Sequence, residues 1–168
     1  KPGEGYEYSN TNYLLIAELI QKVTGGSEFE YIKKVILDPL GLKNTFGSIN
    51  EVNLDDVMSG YYVGYPHDLK EEQLSGLFLA TAEDLGTFLR ALNDGSVFED
   101  GEQEIYSSIY TYGHTGLIPG YQTVARYHQD IDAVVIQFTN TVNFEGYNWD
   151  ISMIIYNRVV KILRRKSS

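Results

Sequence analysis

Apolar positions in the first forty residues recur at a helical period. Leu15, Ile16, Leu19, Ile20 and Val23 fall on one face of a helix running to Thr24. Asn10 or Thr11 is placed to cap its start, and Gly25-Gly26 to end it. Ser27 and Glu30 have the spacing of a capping box and open a shorter helix carrying Phe29, Ile32, Val35 and Ile36. Asp38-Pro39-Leu40-Gly41 stops that helix. From Leu42 to about Ser75 no period holds, and Tyr61, Tyr62, Tyr65, Pro66 and His67 suggest a structured loop. Thr81 then caps a helix whose Leu85, Phe88, Leu89 and Leu92 share a face, and Asn93-Asp94-Gly95 ends it. Glu99-Asp100-Gly101-Glu102 reads as an acidic turn.

Beyond residue 105 the period changes. Tyr106–His114 is rich in Tyr, Ile and Thr, Gln122–His128 alternates, and Ala133–Thr139 is a short apolar run. These predict three strands in an antiparallel meander, with Asp130-Ile131-Asp132 as a hairpin connection. Tyr106, Tyr110, Tyr112, Tyr121 and Tyr127 are expected to pack across strands. A last helix spans about Trp149 to Arg165, with Ile151, Ile154, Ile155, Val159, Ile162 and Leu163 as its apolar face. The fold class is therefore α+β: a helical part over about 1–95, then strands and a covering helix over about 105–166, in one domain.

Composition narrows the functions. The 168 residues are 43% hydrophobic and carry a formal net charge of −10, a surface that repels nucleic-acid phosphates. The basic cluster Lys161, Arg164, Arg165 and Lys166 reads as the last turn of the closing helix, where cations suit the dipole. There is no cysteine, which rules out thiol catalysis, disulfides and thiolate metal sites. No two histidines have metal-ligand spacing, and neither Asp55-Asp56 nor Asp130/Asp132 fits a calcium loop, so neither metal nor cofactor is expected. No apolar run approaches the roughly 20 residues of a membrane span. Lys1 is not an initiator methionine, which suggests that the chain begins inside a longer product.

Two short motifs carry the candidate chemistry: Tyr8-Ser9-Asn10 just before the first helix, and His114-Thr115-Gly116 at the close of a strand, before a Leu117-Ile118-Pro119-Gly120 bend. Their order suits a serine acyl-transfer site. Yet no serine has a lysine three residues later, the spacing that places nucleophile and base one helical turn apart. Each motif has a plainer reading too. Tyr8 is one of 14 tyrosines and could simply pack, and Asn10 could simply cap. His67 and His128 read as loop and strand-surface residues.

Around these motifs the chain resembles the family of class C β-lactamases, penicillin-binding proteins and esterases. The resemblance runs through Pro2-Gly3-Glu4-x-Tyr6-x-Tyr8-Ser9-Asn10-Thr11-x-Tyr13 and Pro39-Leu40-Gly41-Leu42-x-x-Thr45. It resumes at Ser75-Gly76-Leu77-x-x-Ala80-Thr81-Ala82-x-Asp84-Leu85 and at Gly113-His114-Thr115-Gly116-x-x-Pro119-Gly120. In such proteins the nucleophile helix precedes the Tyr-x-Asn loop. The resemblance implies that Tyr8 passes protons between the serine hydroxyl and the leaving group, and that Asn10 holds the acyl side of the substrate. His114 stands where many members carry lysine, a substitution of esterase-like and peptidase-like members. Thr115 would offer a hydroxyl to a substrate carboxylate beside Gly116, and the Leu117 N–H would form half of an oxyanion hole.

The expected function is that of part of a serine hydrolase forming an acyl-enzyme on an ester, a D-amino-acid peptide or a β-lactam, with the nucleophile absent from this segment and the segment alone inactive. The alternative is a non-catalytic relative that binds cell-wall peptides or a protein. The resemblance implies an extracytoplasmic or cell-envelope location. Faces left uncovered, such as Leu15/Leu19/Val23, and an open sheet edge predict self-association.

Overall fold

The computed structural model describes residues 3–108 and 113–167, and the chain divides into two compact units, Lys1–Gly41 and Leu42–Ser168. Pro2 and the stretch 109–112, with Tyr110 and Tyr112, lie outside the described residues.

In the first unit α1 (Thr11–Thr24) follows an extended entry segment. Asn10 occupies the N-cap position but is already helical, at φ −62° and ψ −25°, and its side chain makes no capping hydrogen bond. A cap side chain reaches back from extended backbone. Here the hydroxyl of Ser9 accepts the Thr11 N–H instead, at 3.3 Å. Gly25 closes the helix at φ 75°, its N–H donating to the Gln21 carbonyl. Ser27 and Glu30 form the full capping box of α2 (Glu28–Ile32), which runs through a π-helical turn, Lys33–Leu37, into α3 (Asp38–Leu40). Leu37 is buried, whereas α1 buries none of its residues and leaves Leu15, Leu19 and Val23 exposed.

The second unit contains β1 (Thr45–Phe46), β2 (Tyr61–Tyr62), α4 (Lys70–Gln73), β3 (Leu79–Ala80), α5 (Ala82–Asp94), α6 (Glu102–Ser107), β4 (Gly113–Ile118), β5 (Tyr121–His128), β6 (Ala133–Thr139), β7 (Thr141–Val142) and α7 (Asn148–Ser167). β4, β5 and β6 form the expected antiparallel meander, in that order. Its first strand starts later than the composition suggested. Tyr106 belongs to α6, where its ring packs on Phe98 at 4.7 Å between centroids, and not to a strand. The two remaining strands coincide with the predicted runs. β1 pairs antiparallel with β3, and β2 pairs parallel with β7.

Each face of the sheet carries one helix. Strand partners share a face, so Gln122, Val124, Val135 and Gln137 point one way and Thr123, Ala125, Ile136 and Phe138 the other. On the first face Val124, Val135, Tyr156 and Val160 form a buried cluster that Met153 and Leu163 extend. α7 thus packs through Ser152, Tyr156 and Val160. Of the predicted apolar face only Leu163 joins the cluster: Ile151, Ile154, Ile155, Val159 and Ile162 remain 41–56% exposed. His128, expected on the surface, is half-buried and bonded through Nε2 to the Tyr156 hydroxyl at 2.8 Å.

On the other face α5 is fixed at both ends. Thr81 caps it through the Asp84 N–H at 3.2 Å. The buried Asp84 carboxylate accepts the Asn44 N–H at 2.7 Å and the Thr45 hydroxyl at 2.9 Å, which ties the helix start to β1. Further along, Arg90 pairs with Asp132, in a left-handed turn at φ 49°, and lies over the Tyr127 ring.

Candidate active site

Tyr8 and Asn10 belong to the first unit, while His114, Thr115, Gly116 and Leu117 belong to the second. Tyr8 is just over half exposed in the segment that enters α1. Because Ser9 serves the Thr11 N–H, the Asn10 amide is not consumed by capping and is exposed at the helix start. The Tyr-Ser-Asn run therefore assigns the local capping work to its middle residue and presents the flanking phenol and amide.

β4 is an edge strand of the three-stranded sheet, and it carries His114-Thr115-Gly116-Leu117 in its interior. The strand does not close at Gly116, as the sequence suggested, but continues to Ile118, which pairs with Tyr121. The turn is then only Pro119-Gly120, with Gly120 at φ 87°, a conformation that favours glycine. His114 and Gly116 share a face with their partners Ala125 and Thr123, and Thr115 points the other way. His114, Gly116 and Leu117 are exposed.

The imidazole is locally oriented. His114 Nδ1 lies 2.6 Å from the Thr115 carbonyl oxygen. A carbonyl can only accept, so Nδ1 carries the proton, and in the neutral ring Nε2 keeps its lone pair. That tautomer can accept a proton or a hydroxyl hydrogen bond at Nε2. Protonated, the same nitrogen becomes a donor.

The two glycines flanking His114 differ. A Cβ on Gly113 would collide with the Ala125 carbonyl and the Arg126 backbone, so glycine is needed there for β4 to lie against β5. A Cβ on Gly116 would meet Thr123 at an ordinary 3.7 Å. The sheet itself does not require glycine at 116, and what its absent side chain leaves open is the space before the exposed strand.

The turn end of β4 is clamped by the 54–70 loop, a feature the sequence did not reveal. Tyr121 packs over Gly60, where any side chain would collide with its ring, and donates its hydroxyl to the Met58 carbonyl at 2.7 Å. Burial, with the charge of Asp68 and with Tyr61, pushes the Tyr121 phenol up to about 12, so it remains a neutral donor. Partial desolvation pushes the Asp68 carboxyl up. Hydrogen bonds from Ser59, the Gly60 N–H and the Lys70 N–H, with the Lys70 charge, outweigh it and hold the group at about 2. The partners lie some sixty residues apart in sequence, and no local pattern announces such a contact.

Among the described residues no three His, Cys, Asp or Glu side chains gather as metal ligands, and no helix is long and apolar enough to cross a membrane.

A family model described as Beta-lactamase matches residues 1–108, a stretch that contains Tyr8 and Asn10 and ends before His114. Penicillin-binding protein 4* of Bacillus subtilis (strain 168) is 36% identical over 72 residues, covering 43% of this chain and 16% of that protein. Protein flp of Staphylococcus aureus (strain MW2) is 31% identical over 125 residues, covering 70% of this chain and 24% of that protein. The D-amino acid amidase of Ochrobactrum anthropi SV3, solved with L-phenylalanine amide, superposes with a TM-score of 0.82 at 21% identity. That superposition covers all of this chain and 60% of the amidase. The chain thus spans a quarter or less of these two curated relatives.

Proposed function

We propose, from the premise that this chain belongs to the β-lactamase family, that it supplies the proton-relay and substrate-holding side of a serine acyl-transfer site. The serine and its paired lysine come from residues outside these 168, because no Ser-x-x-Lys occurs among them. The observation that carries the reading is β4: an exposed edge strand that presents His114 with Nδ1 tied down, beside a glycine its own sheet does not need.

In this reading Tyr8 takes the proton of the attacking serine and passes it to the leaving group. His114 Nε2 hydrogen-bonds the leaving group during the transfer. Asn10 holds the acyl side of the substrate, Thr115 binds a carboxylate through its hydroxyl, and Gly116 leaves room for the substrate backbone along β4. The Leu117 N–H and the N–H of the incoming serine stabilise the oxyanion. The bond broken is an amide or ester: the serine oxygen bonds the carbonyl carbon, the amine or alcohol leaves with the relayed proton, and water later releases the acid. The substrate class is an acyl compound of the kind the relatives' names describe, a D-amino-acid amide, a related ester or peptide, or a penicillin.

The test is steady-state kinetics on a nitrophenyl ester and a D-amino-acid amide, using the serine-bearing protein that contains this chain. Tyr8→Phe and His114→Gln each lower kcat by about 10²–10⁴-fold, the usual worth of a positioned acid or base. His67→Gln, in the exposed loop, leaves the rate unchanged. Wild-type rates in both Tyr8→Phe and His114→Gln would overturn the assignment. Saturable binding of a D-alanyl peptide without turnover by the unsubstituted protein would favour a binding role instead.

A further inference from the structure

We propose that Tyr121 is a positioning residue of the acyl-transfer site: it braces the turn end of β4 against Met58 and Gly60, and so holds the Leu117 N–H where the oxyanion forms. This deepens the reading above and rests on it, since that reading makes the Leu117 N–H half of the oxyanion hole. Every contact the inference uses lies within the second unit.

Strand pairing decides which way that N–H points. Ile118 and Tyr121 flank the two-residue turn Pro119-Gly120, so they are the pair that exchanges both backbone hydrogen bonds. Pairs alternate along an antiparallel ladder, and Leu117 opposite Gln122 is the next, non-bonded one. The Leu117 N–H therefore points away from β5, off the edge of β4. Among the described residues β4 has a strand partner on its other side only. What fixes the N–H is thus the Ile118–Tyr121 pair one residue on, and whatever holds Tyr121.

Main chain holds it. The Tyr121 hydroxyl donates to the Met58 carbonyl at 2.7 Å, and its ring lies over Gly60. The stretch it grips is itself tied down. The Gly60 N–H donates to the Asp68 carboxylate at 2.9 Å, and the Gly60 carbonyl accepts the Leu69 N–H at 2.9 Å. The Ser59 carbonyl accepts the Asn140 side-chain amide at 3.0 Å, and the Tyr61 N–H donates to the Asn140 carbonyl at 2.8 Å. Asn140 directly follows β6, so this frame is fixed to the far strand of the same sheet. The phenol carries the position of the frame to a strand that is paired on one side. Gly120 shares the contact, because a Cβ there would come within 3.1 Å of the Gly60 backbone. An oxyanion donor is effective only where it is held, and a misplacement of about 1 Å can cost about 10²-fold in rate.

Steady-state kinetics on the serine-bearing protein that contains this chain, with a nitrophenyl ester and a D-amino-acid amide, tests the proposal. Tyr121→Phe keeps the ring and removes the hydroxyl. Its kcat is expected to fall about tenfold with KM unchanged, because an oxyanion contact is made only in the transition state. Gly60→Ala, which forces the ring aside, lowers kcat at least as far, and it is the variant to read if circular dichroism shows that Tyr121→Phe does not fold. The double variant falls no further than Gly60→Ala alone, since both act through one contact. A lowered unfolding midpoint with kcat of the folded protein unchanged would mark a merely structural role and overturn the proposal. So would a raised KM at unchanged kcat, or losses that multiply in the double variant. Turnover that Tyr8→Phe and His114→Gln suppress, but Tyr121→Phe and Gly60→Ala do not, sinks this proposal and leaves the acyl-transfer reading standing. An unsubstituted protein without turnover sinks both.

Discussion

Asp84 shows why a motif that looks chemical can be architectural. In sequence it belongs to the Ala80-Thr81-Ala82-x-Asp84-Leu85 run, and Thr45 to the Pro39-Leu40-Gly41-Leu42-x-x-Thr45 run. In the structure the two runs meet, the buried carboxylate of Asp84 accepting from Asn44 and Thr45. Replacing it by alanine strands a backbone N–H and a hydroxyl, so Asp84→Ala is expected to cost about 2 kcal/mol in urea unfolding. His128 makes a pH-dependent contribution. Burial first, then the charge of Arg164, pushes its imidazole down, the pull of Asp130 only partly opposes this, and Arg126 lowers it further. Its folded value thus lies below the ordinary 6.5, and the unfolded chain binds the extra proton. Stability is then full above about pH 6.5 and falls as pH drops below it. Unfolding midpoints measured from pH 7.5 down to pH 5 should show this fall, and His128→Gln should flatten it.

At the scale of elements, sequence and structure agree where the signal is local and part where it is tertiary. The capping box at Ser27 and Glu30, the Thr81 cap and the strands Gln122–His128 and Ala133–Thr139 were legible, because each rests on neighbours within a few residues. The strand expected from Tyr106 was not, since tyrosine and isoleucine fit α6 equally well once Phe98 offers a packing partner. α7 is the more instructive case. It carries two apolar stripes, and periodicity alone favours the isoleucine-rich one. The sheet selects the other because Tyr156 brings a hydroxyl that reaches both His128 and the Val135 carbonyl, and Ser152 answers Gln137. Polar complementarity across 15 to 28 residues of sequence is invisible to a hydrophobic count. Tyr156→Ala is accordingly expected to cost about 3–5 kcal/mol, the range for deleting a buried aromatic side chain. Ile154→Ala, on the exposed stripe, should stay within about 0.5 kcal/mol. Chemical denaturation at low protein concentration compares the two.

For the molecule as a whole, the sequence names candidate residues and leaves their geometry unread. Tyr8, Asn10 and His114 were named from short motifs, but the Nδ1 bond that fixes the imidazole tautomer, the clash that demands Gly113 and the Tyr121–Gly60 clamp appear only once the chain is folded. What the chain lacks is equally part of its chemistry. Any of the eleven serines would need a lysine one turn on to act as the activated nucleophile of this family, and none has one. In the proposed function this chain handles protons and substrate for a serine that lies outside its 168 residues. The most direct measurement is the intact mass of the purified 168-residue chain after incubation with a labelled penicillin and with an activated nitrophenyl ester. The unmodified mass, with no ester turnover above background, is the predicted result. A stoichiometric acyl adduct on any residue of this chain would contradict the central claim.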